Sequence, residues 1–335
     1  MYVVSAGKFR RYHGEGFKQL LDVKTMALNV RDAFRVIAGL YQSWRLLRKI
    51  RPEIVFVKGG FVGVPVGLAA ARLKIPFITH DSDAMPGLAN RIIGRWARKH
   101  AVAMPKEVYT YNPAQTVTVG VPVVAEYQPV TDELQARYRQ EIDVPEDAHM
   151  LFIIGGGLGS QRINRAVMKA VPQLLQQFPK LVVVHGAGRA NEEEMRKGYQ
   201  GLLRIEDAKR ITVVGYIHDV YRYSGAADVI ITRAGATNLA EFAVQGKACI
   251  VVPSPFLAGG HQLKNATYLE EQHATEQLSE AELIANPEIM TAMVADLLND
   301  SKHRAVLGER FKAFGNPNAA RDLAQLIMSE VGDIK

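Results

Sequence analysis

A glycine-rich turn near the middle of the chain has the composition of a phosphate-binding loop. Its residues, Gly155-Gly156-Gly157-Leu158-Gly159-Ser160, lie between a predicted strand, Met150–Ile154, and a helix predicted to start at Gln161. Glycines let backbone N–H groups approach a phosphate closely, and the N-terminus of the following helix adds partial positive charge. The spacing matches neither a Walker loop nor a dinucleotide fingerprint. A phosphate site and a merely tight strand-to-helix turn are therefore both compatible with it.

A second strand-to-helix junction combines an anion-binding geometry with a carboxylate. The predicted strand Val229–Thr232 leads into a helix whose first turn contains Ala236, Thr237 and Asn238. Free N–H groups in that turn would hold an anion. Glu241, one turn further, could accept hydrogen bonds from the two hydroxyls of a ribose. The alternative is an N-capped helix with a solvated glutamate.

Two other strand ends carry polar residues that could do chemistry. In Gly259–Asn265, His261 and Gln262 suit sugar hydroxyls, and the alternative is an ordinary surface loop. In the first half of the chain, a strand ends in His80-Asp81-Ser82-Asp83, which is an incomplete metal-ligand set. A general-base role for His80 or Asp81 is the better functional interpretation, and a strand-end capping network is the alternative.

The N-terminal region carries the basic excess of the chain. Residues 1–52 contain eleven Lys or Arg and three Asp or Glu, a net charge of +8. Because the whole chain is +7, the remainder is −1. Such a local excess predicts an anionic partner.

Apolar residues accompany these cations at helical spacing between Arg31 and Arg51, and most of this stripe is predicted to belong to the core. An apolar patch with a basic rim is also what an interfacial helix needs to meet anionic lipid. The residues assigned to such a surface are Phe34, Tyr41, Trp44, Arg45, Arg48 and Lys49. Nucleic acid is the rival partner, but the sequence has no recognition motif for it.

The elements that must position these residues alternate between short apolar strands and helices from Pro52 onward. This alternation predicts parallel sheets covered by helices on both faces. The pattern restarts after a charged helix, Thr131–Glu141, so we expect two doubly wound domains that face a cleft, with ligands at the carboxyl ends of the strands. The first domain is expected to lack its opening strand and glycine-rich turn. Its second helix is predicted to span Gly87–Lys99.

Composition excludes several classes of protein. The 335 residues exceed the size of one usual core, and 48% apolar residues with 28 Gly and 15 Pro exclude disordered, collagen-like and coiled-coil chains. Cys249 is the only cysteine, which excludes an intramolecular disulfide and a cysteine-based zinc site. No apolar run approaches the roughly 18 residues of a membrane span and no signal peptide is present, so a cytoplasmic protein is expected.

Taken in order, these segments resemble the MurG family, the peptidoglycan N-acetylglucosaminyltransferases that convert lipid I to lipid II. The likeness runs from about Ser5 to the C-terminus, and the runs Pro86–Arg91 and Thr232–Glu241 are the most specific to the family. It implies a GT-B fold with two Rossmann-like domains. The implied boundaries are 1–124 for the acceptor and membrane-facing domain, on which a C-terminal helix at about 312–335 packs, and 125–311 for the UDP-sugar-binding domain.

The resemblance also implies an inverting transfer of N-acetylglucosamine from UDP-N-acetylglucosamine to the C4 hydroxyl of a polyprenyl-diphosphate-linked muramyl pentapeptide, without a metal or other cofactor. The protein would act peripherally, at the anionic cytoplasmic face of the cell membrane. The residues implied to bind the UDP-sugar are Gly157, Ser160, Ile217, Arg233, Ala236, Thr237, Asn238, Glu241, His261 and Gln262. Ile217 would meet uracil through its backbone, residues 236–238 the diphosphate, Glu241 the ribose, and residues 261–262 the transferred sugar. Gly59, Gly60 and Asp83 would meet the acceptor diphosphate, and His80 and Asp81 are the predicted catalytic residues.

The chain departs from the family pattern mainly on the acceptor and catalytic side. The family's opening Gly-Gly-Thr-Gly-Gly-His loop has no counterpart, its His-Glu-Gln-Asn reads His80-Asp81-Ser82-Asp83, and its Gly-Asn-Pro-Val-Arg reads Gly120–Val124. A Gln of the sugar-contacting pair reads His261. Donor binding is therefore better supported than turnover. Three interpretations stay open: an active transferase, a membrane-bound UDP-sugar-binding protein without transfer activity, and a related GT-B enzyme such as a UDP-sugar epimerase or a transferase with another acceptor.

Overall fold

The computed structural model of the chain describes residues 1–7, 23–157, 159–255, 258–286 and 288–332. The chain forms two compact units. Unit one comprises Met1–Val121, Phe256–His261 and Asn318–Lys335, and unit two comprises Pro122–Pro255 and Gln262–Pro317. Each unit contains one parallel β-sheet.

Unit one is built on a four-stranded parallel sheet in the order β1-β2-β3-β4. Its elements up to the last strand are α1 (Val23–Ile50), β1 (Val55–Val57), α2 (Gly63–Arg72), β2 (Phe77–Asp81), α3 (Leu88–Ile93), β3 (Lys99–Val102) and β4 (Thr116–Thr118). One face of the sheet packs against α1 and α2 through Leu47, Ala69 and Phe77.

Unit two is built on a six-stranded parallel sheet in the order β10-β9-β8-β5-β6-β7. Its first elements are α4 (Asp132–Glu141), β5 (His149–Ile154), α5 (Gln161–Gln177), β6 (Leu181–Gly186), α6 (Glu192–Leu202), α7 (Ile205–Ala208) and β7 (Ile211–Val214). They are followed by α8 (Val220–Ala226), β8 (Val229–Thr232), α9 (Ala236–Gln245), β9 (Ala248–Val251), α10 (His261–Glu271), β10 (Glu276–Gln277), α11 (Glu280–Ala285), α12 (Ile289–Asn299) and α13 (Ser301–Lys312). Its core lies where the central strands β5, β8 and β9 meet α5 and α12.

The last helix, α14 (Ala319–Gly332), belongs to unit one. Leu323 packs in a cluster with Ile78 and Val119 on the second face of the sheet. Glu330, which is buried, pairs with Arg98. The C-terminal helix therefore covers the sheet of unit one opposite α1 and α2.

The prediction of one helix over Gly87–Lys99 was wrong. Helix α3 covers only Leu88–Ile93, a short 3₁₀ turn follows at Gly94–Trp96, and Lys99 already begins β3. A Cβ at Gly94 would come within 3.2 Å of the His100 ring and 3.3 Å of the Tyr111 ring. Glycine at this position therefore lets the His100 and Tyr111 rings pack closely against the end of α3.

The expectation that most of the α1 stripe is core was also wrong. Leu47 is buried, and Leu40 and Trp44 pack against the same core cluster. Phe34, Ile37 and Tyr41 are instead 69%, 63% and 58% exposed. The stripe is wider than the part of α1 that α2 and the sheet can cover. Among the described residues, no helix combines the length and the apolar character required to cross a bilayer.

A buried arginine attaches α4 to the sheet of unit two. The Arg139 guanidinium donates to the carbonyls of Ala226, Glu146 and Ala148 at 2.9–3.1 Å. It also pairs with the Asp228 carboxylate at 2.8 Å, and the same carboxylate accepts the Met150 amide at 2.7 Å. Arg139 thereby fixes α4 against the N-terminal ends of β5 and β8.

We expect Arg139→Met to destabilise the protein by about 3–5 kcal/mol, because it removes the guanidinium from the half-buried Asp228 carboxylate and from three carbonyls. Urea unfolding followed by circular dichroism measures this loss. Arg137→Met, two residues away on α4, is the matched control, since Arg137 is largely exposed and its ion pair is with the side chain of Glu141 on the same helix. Exposed pairs of this kind contribute less than about 1 kcal/mol. Equal losses in the two variants would contradict the assigned role of Arg139.

Candidate functional site

A pocket of about 390 Å³ lies at the carboxyl end of the unit-two sheet. We call it the unit-two pocket. Its floor is formed by the ends of β5, β6 and β7 with the glycines that follow them, Gly156, Gly157, Gly186, Gly188 and Gly215. Its walls carry the polar side chains of Glu126, Tyr127, Tyr216, His218, Asn238 and Glu241. The pocket therefore has a floor of glycine main chain and walls of side chains that can form hydrogen bonds.

An anion in the unit-two pocket would be held by main-chain amides. Among the described residues that line it, none is Lys or Arg. Helix α9 begins at Ala236 after the extended Gly235, and no side chain caps its first turn. Asn238 lies in this turn and lines the pocket, whereas the side chain of Thr237 is exposed. Uncapped N–H groups at the positive end of a helix dipole are donors suited to a phosphate, so the predicted anion contact at this turn stays a prediction.

Gly156 and Gly159 give the turn after β5 its shape. Both adopt positive φ, 88° and 73°, a region that favours glycine. A Cβ at Gly159 would collide with the carbonyl of Ala187, at the end of β6. The turn therefore lies against the β6 end, which places Gly156 and Gly157 on the floor of the pocket.

Glu241 is half-buried on α9 and lines the same pocket. Burial raises the pKa of its carboxyl to about 7, because the charged form loses hydration. The Tyr127 hydroxyl donates a hydrogen bond to it, which acts in the opposite direction and lowers the pKa. Near neutral pH the carboxyl can thus lose its proton and present two acceptor oxygens to a diol.

Ser160 and Arg233, both predicted to bind the UDP-sugar, are placed outside the lining of the unit-two pocket. The Arg233 guanidinium donates to the Val252 carbonyl at 3.0 Å and to Ser160 Oγ at 2.6 Å. It also pairs at 2.7 Å with the buried carboxylate of Glu280, which Arg162 meets from the other side. These residues form a clamp that ties the glycine-rich turn to the ends of β8 and β9 and to α11.

His261 and Gln262 start helix α10, directly after Gly259 and Gly260, which have positive φ. Gln262 Oε1 accepts the Ser254 amide at 3.0 Å. One turn further, Asn265 donates to the Ala234 carbonyl at 3.0 Å and fixes α10 to the β8–α9 turn. The unit-two pocket is not lined by His261 or Gln262, so the predicted sugar contacts stay predictions.

In unit one, Gly59 and Gly60 form the turn after β1 with φ of 93° and 77°. The Gly63 amide donates to the Gly60 carbonyl at 3.0 Å and starts α2. Asp83 lies in the loop after β2, where its carbonyl accepts the Tyr109 hydroxyl at 2.8 Å. The contact predicted between these three residues and an acceptor diphosphate stays a prediction.

His80 and Asp81 are buried at the end of β2, and their polar atoms are occupied. Asp81 Oδ1 accepts the Gly87 amide and the Asn90 side chain at 2.9 Å, and Oδ2 accepts the Tyr111 hydroxyl at 2.8 Å. His80 Nε2 lies 2.9 Å from the Gly120 carbonyl, and burial lowers the pKa of the imidazole. This geometry favours the capping network, and the catalytic role stays a prediction. The part of the chain that the structure describes contains no cluster of three His, Cys, Asp or Glu suited to a metal ion.

Several of the residues that line the pocket were not identified from the sequence. Gly186 is the last residue of β6, and Gly188 follows it at the same end of the sheet as the glycine-rich turn. Glycines at a strand end are a signal that could have identified both. Tyr127, Tyr216 and His218 belong to no motif, and only the folded chain brings them to Glu241.

Comparisons with known proteins agree with this geometry. Residues 11–102 match the glycosyltransferase family 28 N-terminal domain, and residues 150–327 match the glycosyltransferase family 28 C-terminal domain. A protein of Desulforudis audaxviator named UDP-N-acetylglucosamine--N-acetylmuramyl-(pentapeptide) pyrophosphoryl-undecaprenol N-acetylglucosamine transferase is 33% identical over 307 residues, which cover 91% of this chain and 80% of that protein. A protein of the same name from Citrifermentans bemidjiense is 29% identical over 301 residues, which cover 90% of this chain and 80% of that protein.

The crystal structure of Acinetobacter baumannii MurG superposes with a TM-score of 0.70 over 89% of this chain and 80% of that chain, at 24% identity. Two parallel α/β units of this kind form the GT-B fold. The family matches and the relatives extend over nearly the whole chain, so the protein belongs to glycosyltransferase family 28 and, within it, to the MurG family.

Proposed function

We propose that the protein transfers N-acetylglucosamine from UDP-N-acetylglucosamine to the C4 hydroxyl of lipid I, with inversion at the anomeric carbon, to give lipid II in peptidoglycan synthesis. The observation that carries this proposal is the unit-two pocket, which is lined both by Asn238, in the uncapped first turn of α9, and by Glu241, further along the same helix. The names of the relatives supply the sugar and the acceptor.

The pocket suits the three parts of a uridine diphosphate. The amides of the first turn of α9, at Ala236, Thr237 and Asn238, would bind the diphosphate, assisted by the turn at Gly156 and Gly157. Glu241 would accept hydrogen bonds from both ribose hydroxyls. Main-chain groups at Ile217, which also lines the pocket, would bind uracil.

The reaction needs stabilisation of charge on the leaving group. The acceptor hydroxyl attacks the anomeric carbon, the bond from that carbon to the diphosphate oxygen breaks, and UDP leaves with the electron pair. Amides already oriented toward that oxygen stabilise the developing charge without reorganising. A base takes the proton of the acceptor hydroxyl, and His80 or Asp81, predicted for this step, would have to exchange a hydrogen bond that now holds β2.

We further propose that α1 binds the anionic cytoplasmic leaflet of the cell membrane, next to the diphosphate of the acceptor. Val30, Phe34, Ile37 and Tyr41 are exposed and follow one another at spacings of four, three and four residues, so they share one face of the helix. Arg45, Arg48 and Lys49 are exposed further along α1. The Arg48 guanidinium lies 4.7 Å from the centre of the Trp44 ring. An apolar stripe beside cations suits insertion among acidic headgroups.

A transfer assay tests the proposed activity. With labelled UDP-N-acetylglucosamine and a lipid I analogue, we expect labelled disaccharide product and UDP in equal amounts. Glu241→Gln should lower kcat/KM by roughly 10–100-fold, because it removes charge-assisted bonds to the ribose. Donor binding without any product would favour the UDP-sugar-binding protein, and epimerised donor without acceptor would favour the epimerase.

The affinity for UDP-N-acetylglucosamine should rise with pH and level off above about 7. The ribose diol requires the ionised form of Glu241, and below that pH binding must first displace the proton of the Glu241 carboxyl, whose pKa is about 7. Calorimetry between pH 6 and 8 measures this, and the sugar nucleotide is the right probe because its diphosphate has no proton that titrates in that range. Glu241→Gln should bind more weakly and without this pH dependence. A pH dependence that survives in Glu241→Gln would assign it to another group.

The membrane proposal predicts that vesicle binding requires anionic lipid and weakens as salt rises. Each cation near such a surface contributes about 1 kcal/mol, and the attraction is screened over roughly 8 Å at physiological salt. Replacing Arg45, Arg48 and Lys49 by Glu should abolish co-sedimentation and leave the affinity for UDP-N-acetylglucosamine unchanged. The matched control replaces Lys169, Lys209 and Lys302, three exposed lysines of unit two, by Glu. Equal binding to neutral and anionic vesicles, or loss of binding in the control as well, would overturn the proposal.

A further inference from the structure

Tyr127 occupies an unusual place for an aromatic residue of a connecting segment. It lies in the stretch between the start of unit two and α4, yet its side chain is only 6% exposed. Its ring packs edge-on against Tyr221 with 6.2 Å between centroids, and Tyr221 packs in the same way on Tyr138 at 5.9 Å. Tyr127 and Tyr221 both line the unit-two pocket. The ring of Tyr127 is therefore fixed by packing at the wall of the pocket.

The hydroxyl of Tyr127 donates to the Glu241 carboxylate. Burial, followed by the charge of Glu241 and the hydrogen bond to it, raises the pKa of the phenol, so the hydroxyl keeps its proton and acts only as a donor toward that carboxylate. Burial alone would drive Glu241 toward the neutral acid. Tyr127 is the side chain that favours the charged form.

The charge of Glu241 decides what it can bind. An ionised carboxylate accepts hydrogen bonds at both oxygens, whereas the neutral acid carries a proton on one of them and donates. The two hydroxyls of a ribose donate most strongly to a charged acceptor. A half-buried glutamate without a compensating donor would therefore bind a diol poorly near neutral pH.

We propose that Tyr127 is a positioning residue of the donor site, which acts through Glu241 and holds its carboxylate in the charge state and orientation that a ribose diol requires. This inference rests on the proposed function, because it assigns the ribose to Glu241. Tyr127 itself need not touch the sugar nucleotide.

The effect of Tyr127 on the titration of Glu241 can be distinguished from the effects of the other ionisable groups nearby. Helix α9 contributes no charged side chain besides Glu241 itself. The elements that face it across the unit-two pocket contribute Glu126, Tyr216, His218, Asp219 and Tyr221. Burial raises the pKa of the Glu241 carboxyl, and the Tyr127 hydrogen bond lowers it. The titration of Glu241 should therefore respond to the hydroxyl of Tyr127 and not to loss of a hydroxyl elsewhere in the aromatic cluster.

The first test needs no ligand. The carboxyl of Glu241 is titrated by carbon-13 NMR in protein labelled at the glutamate side-chain carboxyl, and Glu241→Gln identifies its signal. Loss of one hydrogen bond to the charged form in Tyr127→Phe should move the midpoint upward by about one pH unit. Tyr138→Phe is the matched control, because it removes one hydroxyl from the same cluster without reaching the pocket, and it should leave the midpoint in place. An unchanged midpoint in Tyr127→Phe would overturn the inference.

The second test measures binding of UDP-N-acetylglucosamine by calorimetry. A one-unit shift should weaken binding by Tyr127→Phe about fivefold at pH 7 and less than twofold at pH 8.5, because only the ionised fraction binds. In the Glu241→Gln background, Tyr127→Phe should have no further effect. If Tyr127→Phe lowered the affinity equally at every pH, or still lowered it in the Glu241→Gln background, Tyr127 would act directly on the ligand. Either result would overturn the inference. Absence of binding by the wild-type protein would instead refute the proposed function, while the titration still decides the role of Tyr127.

Discussion

The gathering of main-chain amides at the carboxyl end of one parallel sheet, in a pocket whose described lining has no lysine or arginine, is the constraint on which the rest of unit two depends. Amides act as donors for a phosphate only when the backbone can come close and keep its direction. The parallel order β6-β5-β8 brings three strand ends to one edge, so that the glycine turn after β5, the end of β6 and the N-terminus of α9 are neighbours. Glycine is required at Gly159 because a side chain there would strike the Ala187 carbonyl.

Buried polar networks hold these amides in place. The Arg233 guanidinium joins Ser160, Val252 and Glu280, which fixes the start of α5 to the strand ends beside it. On the other side, Asn164 of α5 donates to the Ala187 carbonyl at 2.9 Å and meets the His185 ring at 3.0 Å. Buried polar groups that are paired in this way favour a single arrangement of the segments that carry them. The guanidinium of Arg233 is thus engaged in fixing the glycine-rich turn and lies outside the lining of the pocket.

The unit-two pocket also shows a conflict between stability and binding. Burial of Glu241 favours the neutral carboxyl, so holding it ionised at neutral pH costs folding free energy that a solvated glutamate would not cost. Residues retained at a cost to stability are characteristic of binding sites. Tyr127 offsets part of this cost through its hydrogen bond, while Arg139, on the helix that follows, anchors the region to the sheet.

The sequence by itself determined the parts of this protein that depend on local pattern. Strand Val229–Thr232 has its predicted bounds, and helix α5 starts at Gln161 as expected, because apolar runs and the glycines or caps beside them are read from neighbouring residues. The strand ends, and with them Gly157, Asn238 and Glu241, could therefore be assigned to one sheet edge. The tertiary structure alone decided which side chains reach the ligand space. The Arg233 side chain pairs with Glu280, and the Asp81 carboxylate accepts the Tyr111 hydroxyl. Tyr127, from a connecting segment, donates to Glu241. A sequence pattern reports how apolar or polar a face is, but the partner of each buried polar atom is fixed only when distant segments pack against it.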